Sequence, residues 1–176
     1  SSRQVIDLRQ GFFSDVGGYS GNVAVAKGAD IENAIGGAGA DSLTGNALNN
    51  NLQGGAGNDT VMAGAGADTL VESSGSNFLR AEDGDDSISG GSGFDDINGN
   101  KGQDTASGHL GNDWVVGGQG DDLLNGDEGD DVVYGNMGND WCDGGAGADV
   151  LRGGQDADML LGQSGDDWLS GDRGSD

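Results

Sequence analysis

Aspartate recurs at nine-residue intervals through most of this chain, at Asp41, Asp59, Asp68, Asp86, Asp95, Asp104, Asp113, Asp122, Asp131, Asp140, Asp149, Asp158, Asp167 and Asp176. Asn50 and Asn77 hold the same place in the two units that break the series. Carboxylates at one fixed phase supply hard oxygen ligands once per structural unit rather than one reactive cluster. Adjacent pairs such as Asp121 with Asp122 and Asp130 with Asp131 have the composition of an acid–base dyad, but the second member of each belongs to the ladder and the first is expected to face solvent. With 31 acidic against 7 basic residues and a formal charge of -24, the chain is unsuited to nucleic acid or an anionic membrane as partner. Something cationic must offset that charge.

The elements that position these carboxylates follow the same period. From Gly36 to Asp176 the chain divides every nine residues without insertion or deletion, into 15 full units and a six-residue remainder. Four successive units read GGQGDDLLN, GDEGDDVVY, GNMGNDWCD and GGAGADVLR. The sixth position holds the aspartate. The eighth is apolar throughout, from Leu43 and Leu52 to Leu160 and Leu169, and is the expected core column. The first position is Gly in 13 of 16 units, and the second is often Gly, Asn, Asp or His, which tolerate positive φ. A tight turn is therefore predicted at the opening of each unit, followed by a three-residue strand with its middle side chain inward. The chain divides into a β-rich lead-in, residues 1–35, and the array, residues 36–176.

This unit resembles the GGxGxDxUx nonapeptide of repeats-in-toxin proteins, a calcium-binding parallel β-solenoid repeat. The resemblance implies an all-β, right-handed parallel β-roll with two nonapeptides per turn. It also implies several calcium ions between stacked loops, held by the sixth-position aspartates and by backbone carbonyls, a donor set suited to a hard cation. Alternate loops then fall on two edges, Asp41, Asp59, Asn77, Asp95, Asp113, Asp131, Asp149 and Asp167 on one, and Asn50, Asp68, Asp86, Asp104, Asp122, Asp140, Asp158 and Asp176 on the other. Because each edge stacks like charges, the array is expected to stay largely unfolded without calcium.

The lead-in stretches FSDVGG, GNV and IENAIGG, within Phe13–Gly37, are similar to the segment that enters the β-roll of serralysins. That resemblance implies secretion from a Gram-negative bacterium through a type I channel and folding outside the cell. It also raises the alternative that this is the non-catalytic C-terminal part of a serralysin-like metalloprotease. A third reading is a subunit of an extracellular fibre, adhesin or surface layer. No HExxH motif or other catalytic constellation occurs in the sequence. The single histidine, His109, sits at the second, positive-φ position, and the single cysteine, Cys142, sits in the inward column. No apolar run is long enough for a membrane span and no charged-then-apolar leader precedes Val5, so export is expected to use another route or a signal outside this segment.

Irregular units carry their own expectations. Unit five, ESSGSNFLR, lacks the opening glycines and carries Asn77, so the two calcium sites sharing its loop are expected to be weak or empty. Weak occupancy is also expected at unit two, GNALNNNLQ, and at unit fourteen, where Asp156 replaces Gly. The seventh column turns apolar late in the chain and contains Trp114, Trp141 and Trp168. These side chains either stack on neighbours one turn away or form a docking or self-association ridge. The last unit stops at Asp176 without a strand or cap, so the chain is expected to continue or to contact a neighbour there.

Overall fold

A computed structural model describes residues 2–16, 19–24 and 30–174. The lead-in forms β1 (Val5–Asp7), β2 (Phe13–Val16) and β3 (Tyr19–Ala24). The roll begins with β4 (Asn33–Gly37), β5 (Ser42–Thr44), β6 (Asn51–Ala56), β7 (Thr60–Ala65), β8 (Thr69–Ser74) and β9 (Asn77–Asp83). It continues through β10 (Ser87–Ser89), β11 (Asp95–Lys101), β12 (Thr105–Leu110), β13 (Trp114–Gln119) and β14 (Leu123–Glu128). It closes with β15 (Val132–Met137), β16 (Trp141–Ala146), β17 (Val150–Asp156), β18 (Met159–Leu161) and β19 (Trp168–Gly174). No helix occurs among the described residues.

Even strands β4 to β18 form one parallel sheet of eight, and odd strands β5 to β19 form the parallel part of an 11-stranded sheet. The register is two nonapeptides: Trp114 pairs with Val132 and Val132 with Val150, and the Val132 amide donates to the Asp113 carbonyl at 2.8 Å. Successive units therefore alternate between two faces of a β-solenoid, as the repeat implies. The lead-in joins the larger sheet, with β1 parallel to β5 and the hairpin strands β2 and β3 antiparallel beyond it.

Thirteen eighth-position side chains, from Leu43 to Leu151, are buried between the sheets, and Leu8 and Ala34 close the same core from the lead-in. The column fails at its last members: Leu160 is only partly buried and Leu169 is 42% exposed, since no described turn packs over them. The strands are also longer than predicted. Half of the roll's strands run six residues, from the seventh position of one unit to the third of the next, because the opening glycines also pair with the neighbouring turn. Positive φ falls both on the second position, as at Gly118, Asn136 and His109, and on the fourth, as at Gly120. The bend itself occupies positions four to six.

The apolar seventh column does not form one ridge. Trp114, Val132, Val150 and Trp168 line the larger sheet, whereas Leu123, Trp141 and Met159 line the other. On the larger face Trp114 meets Tyr134 edge-on at 6.4 Å, and the Arg152 guanidinium lies 5.5 Å from Tyr134 and 5.3 Å from Trp168. That is stacking between turns, although all three tryptophans remain about half exposed.

Candidate metal centre

Each loop aims its aspartate along the roll axis. From unit three to unit fifteen the fourth-position residue turns the chain through positive φ, as at Gly57 and Gly111, and the sixth-position side chain folds back under the preceding turn. One oxygen, Oδ1, accepts the backbone amide of the residue 18 positions earlier: Asp95 from Asn77 at 2.9 Å, Asp113 from Asp95 at 2.8 Å, Asp131 from Asp113 at 2.7 Å. The same ladder joins Asp41, Asp59, Asn77 and Asp95 below, and Asp149 and Asp167 above. A second ladder runs through Asn50, Asp68, Asp86, Asp104, Asp122, Asp140 and Asp158. Asp176 lies outside the described residues.

The other oxygen is what a ligand must satisfy. Oδ2 of Asp41, Asp59, Asp68, Asp86, Asp95, Asp104, Asp113, Asp122, Asp131, Asp140 and Asp149 is buried and accepts no hydrogen bond. Burying an anionic oxygen without a donor or a cation is costly. These oxygens converge with carbonyls of the next turn: a Cβ on Gly36 would lie 2.6 Å from Asp41 Oδ2 and 2.8 Å from Gly54 O. At Gly90 the same position lies 2.6 Å from Asp95 Oδ2 and 3.0 Å from Gly108 O. Only glycine keeps these spaces open. A carboxylate oxygen facing a backbone carbonyl repels it unless a cation intervenes, and an all-oxygen donor set suits calcium. Among the described residues no three His, Cys, Asp or Glu side chains gather as a metal cluster, so an ion must complete its shell with carbonyls and water.

The electrostatics agree. Burial pushes the carboxyls of Asp95, Asp122 and Asp131 up to about 7, and those of Asp68, Asp104 and Asp140 up to about 6. The ladder amide pulls each partly back, while neighbouring carboxylates push it up.

The irregular units differ in physical detail. Asn77 directs its amide nitrogen toward Asp95 Oδ1 at 2.8 Å and Gly90 O at 3.4 Å, placing a donor among groups that elsewhere face an orphaned oxygen. Asn50 instead receives the Asn46 amide at 2.8 Å. Asp156 adopts φ 78, so the fourth-position bend survives without glycine. His109 has φ 72, half exposed, with Nε2 2.9 Å from Ser89 Oγ and Nδ1 3.5 Å from Asp127 Oδ2. Cys142 is fully buried, and burial pushes its thiol up to about 12.

Two features escaped the sequence reading. Fifth-position Asn and Asp side chains form an outer ladder, as where Asp121 accepts the Asn139 amide at 2.8 Å and Asp130 the Ala148 amide at 2.9 Å. The recurrence of Asn and Asp at that position was its signal. Glu72, read only as a lost glycine, is 4% exposed and accepts the amides of Gly54 and Gly55 at 3.1 and 2.8 Å. Burial, then Asp59, pushes its carboxyl up to about 8.

The family model of the serralysin C-terminal domain of M10 peptidases matches residues 1–98, more than half of the chain. The chain belongs to the serralysin C-terminal family. The remainder of this serralysin-type roll matches the RTX calcium-binding nonapeptide repeat over residues 107–142 and 143–176. Relatives include the metalloprotease AprA of Pseudomonas entomophila, 57% identical over 53 residues, 30% of this chain and 11% of that protein. The serralysin of Proteus mirabilis is 57% identical over 49 residues, 28% of this chain and 10% of that protein. Serralysin C of Dickeya chrysanthemi is 60% identical over 43 residues, 24% of this chain and 9% of that protein. The matched stretches span about a tenth of the length of these relatives. The chain is thus a calcium-binding β-roll module of the serralysin type, and the part of that family it matches is non-catalytic.

Proposed function

We propose that this module binds calcium ions at several gaps along both edges of the roll and folds only when they are bound. The observation that carries this reading is the column of buried Oδ2 oxygens, each without a hydrogen-bond donor. The ligands would be Oδ2 of Asp41, Asp59, Asp68, Asp86, Asp95, Asp104, Asp113, Asp122, Asp131, Asp140 and Asp149, with carbonyls such as Gly54 O and Gly108 O. Asp158, Asp167 and Asp176 extend the series. The bound ions neutralise carboxylates that would otherwise repel along each edge. The described part of the lead-in caps the first turn: β1 covers β5, and the Asn46 side-chain Nδ2 donates to Ile31 O at 2.8 Å.

Such coupling suits a chain made where calcium is scarce and used where it is plentiful, which supports an extracellular location reached through type I secretion. The parent would be a serralysin-like metalloprotease whose catalytic domain lies outside this segment. The test is a titration from chelator to about 10 mM calcium, beyond the weak extracellular class of sites, followed by circular dichroism and sedimentation velocity. A coil-to-β transition to a compact monomer is expected. Full β-structure in chelator at neutral pH would refute the coupling, and calcium-driven assembly would turn the reading toward a fibre or surface layer.

A further inference from the structure

Unit five departs from the repeat at its first position, where Glu72 stands in the glycine column. Two other units also lack that glycine, but Ala63 and Ala81 simply join the apolar core. A glutamate cannot do so, and a buried carboxylate needs donors or a cation. Glu72 reaches back across the gap to the loop of unit three. There the amides of Gly54 and Gly55 hold one lone pair on each carboxylate oxygen, and the carboxyl faces that of Asp59. The ladder steps out of register here, Gly55 pairing with Glu72 rather than with the residue 18 positions on. Such irregularities re-aim side chains. Both Glu72 oxygens and Asp59 Oδ2 lie within 2.6 Å of the point a Cβ on Gly54 would take. Asp59 itself is 2% exposed, and its Oδ2 accepts no hydrogen bond. At the corresponding point of Gly36 and Gly90, the opposing group is a neutral backbone carbonyl.

We infer that Glu72 is a calcium ligand, joining Asp59 in a two-carboxylate site in the gap between units three and five. This inference rests on the calcium reading of the roll and changes its map. Loss of the opening glycines leaves this gap with a second anionic ligand, while the next gap along the edge keeps the Asn77 amide and holds no ion. Added ligand charge raises affinity in calcium sites generally, so this gap fills at lower calcium than those built from one carboxylate and carbonyls.

Crystals of the full chain grown in calcium test it through anomalous difference density at a wavelength where calcium scatters anomalously. Wild type is expected to show a peak at about 2.3–2.6 Å from Glu72 and Asp59 oxygens, together with peaks at the regular gaps. Glu72→Gln is expected to lose that peak alone. Regular gaps filled with no peak at Glu72 would overturn the inference, as would a peak that persists unchanged in Glu72→Gln. A Glu72→Gly variant that gains an ion absent from wild type would instead make Glu72 a substitute for calcium. If Glu72→Gln fails to crystallise, the wild-type map still decides. Density at no gap at all would sink the calcium reading itself.

Discussion

Acid should replace calcium as a folding agent for this roll, to a degree the buried ladder sets. In the calcium-free fold, burial raises Asp95, Asp122 and Asp131 from 3.8 to about 7, and Asp68, Asp104 and Asp140 to about 6. At neutral pH, shifts of that size correspond to about 3–4 kcal/mol against folding for each carboxylate. Stacked groups do not contribute additively, yet even half of each value, over six groups, rivals the roughly 5–15 kcal/mol net stability of an ordinary domain. A folded-state pKa above the unfolded one means that the folded chain holds more protons between about pH 4 and pH 7. Stability is then fully present below about pH 4 and is lost as pH rises through 6 to 7. With calcium stripped on a chelating resin, far-UV circular dichroism should report coil at pH 8 and gain β-signal on titration to pH 4. Sedimentation velocity should show compaction rather than aggregation as the charge of -24 is neutralised. Calcium and protons compete for the same buried carboxylates, but both favour the folded chain over the unfolded one, so the calcium midpoint of folding should fall as pH falls from 8 to 6. A calcium-free chain equally folded from pH 4 to pH 8 would refute this reasoning.

Asp131→Asn should act with opposite signs, stabilising the calcium-free chain at pH 7 by removing a buried charge while raising the calcium midpoint at least severalfold, both read from paired titrations. Gly129→Ala places a Cβ against the Gly111 carbonyl at φ 138. It should cost more than about 2 kcal/mol, seen as a higher calcium requirement for folding. Cys142, fully buried with a thiol raised to about 12, should resist a thiol reagent in calcium and react readily in chelator at pH 8. Fast labelling in both conditions would contradict the placement of the eighth column.

The nine-residue period marked which positions recur, with Leu124 and Val133 in one apolar column and a sixth-position aspartate in all but two units, and the resemblance to the repeats-in-toxin nonapeptide implied how the units stack. The two carboxylate ladders and the oxygen-donor sites came with that resemblance, the inward column from the period itself. It could not set strand length, since whether Gly117 and Gly118 turn or pair depends on the neighbouring turn offering its amides and carbonyls. The alternation of units between two edges, implied by the resemblance, already sends Trp114 and Trp141 to opposite sheets, and the structure adds the contacts of Trp114 with Tyr134 and of Arg152 with Tyr134 and Trp168. Glu72 shows the limit most plainly. Along the chain it is a missing glycine; across the gap, 18 residues from Gly54, it is a carboxylate facing Asp59. Periodicity fixes which positions stack, but what a side chain does there depends on the groups the neighbouring turn brings within reach, and only folding brings those groups together.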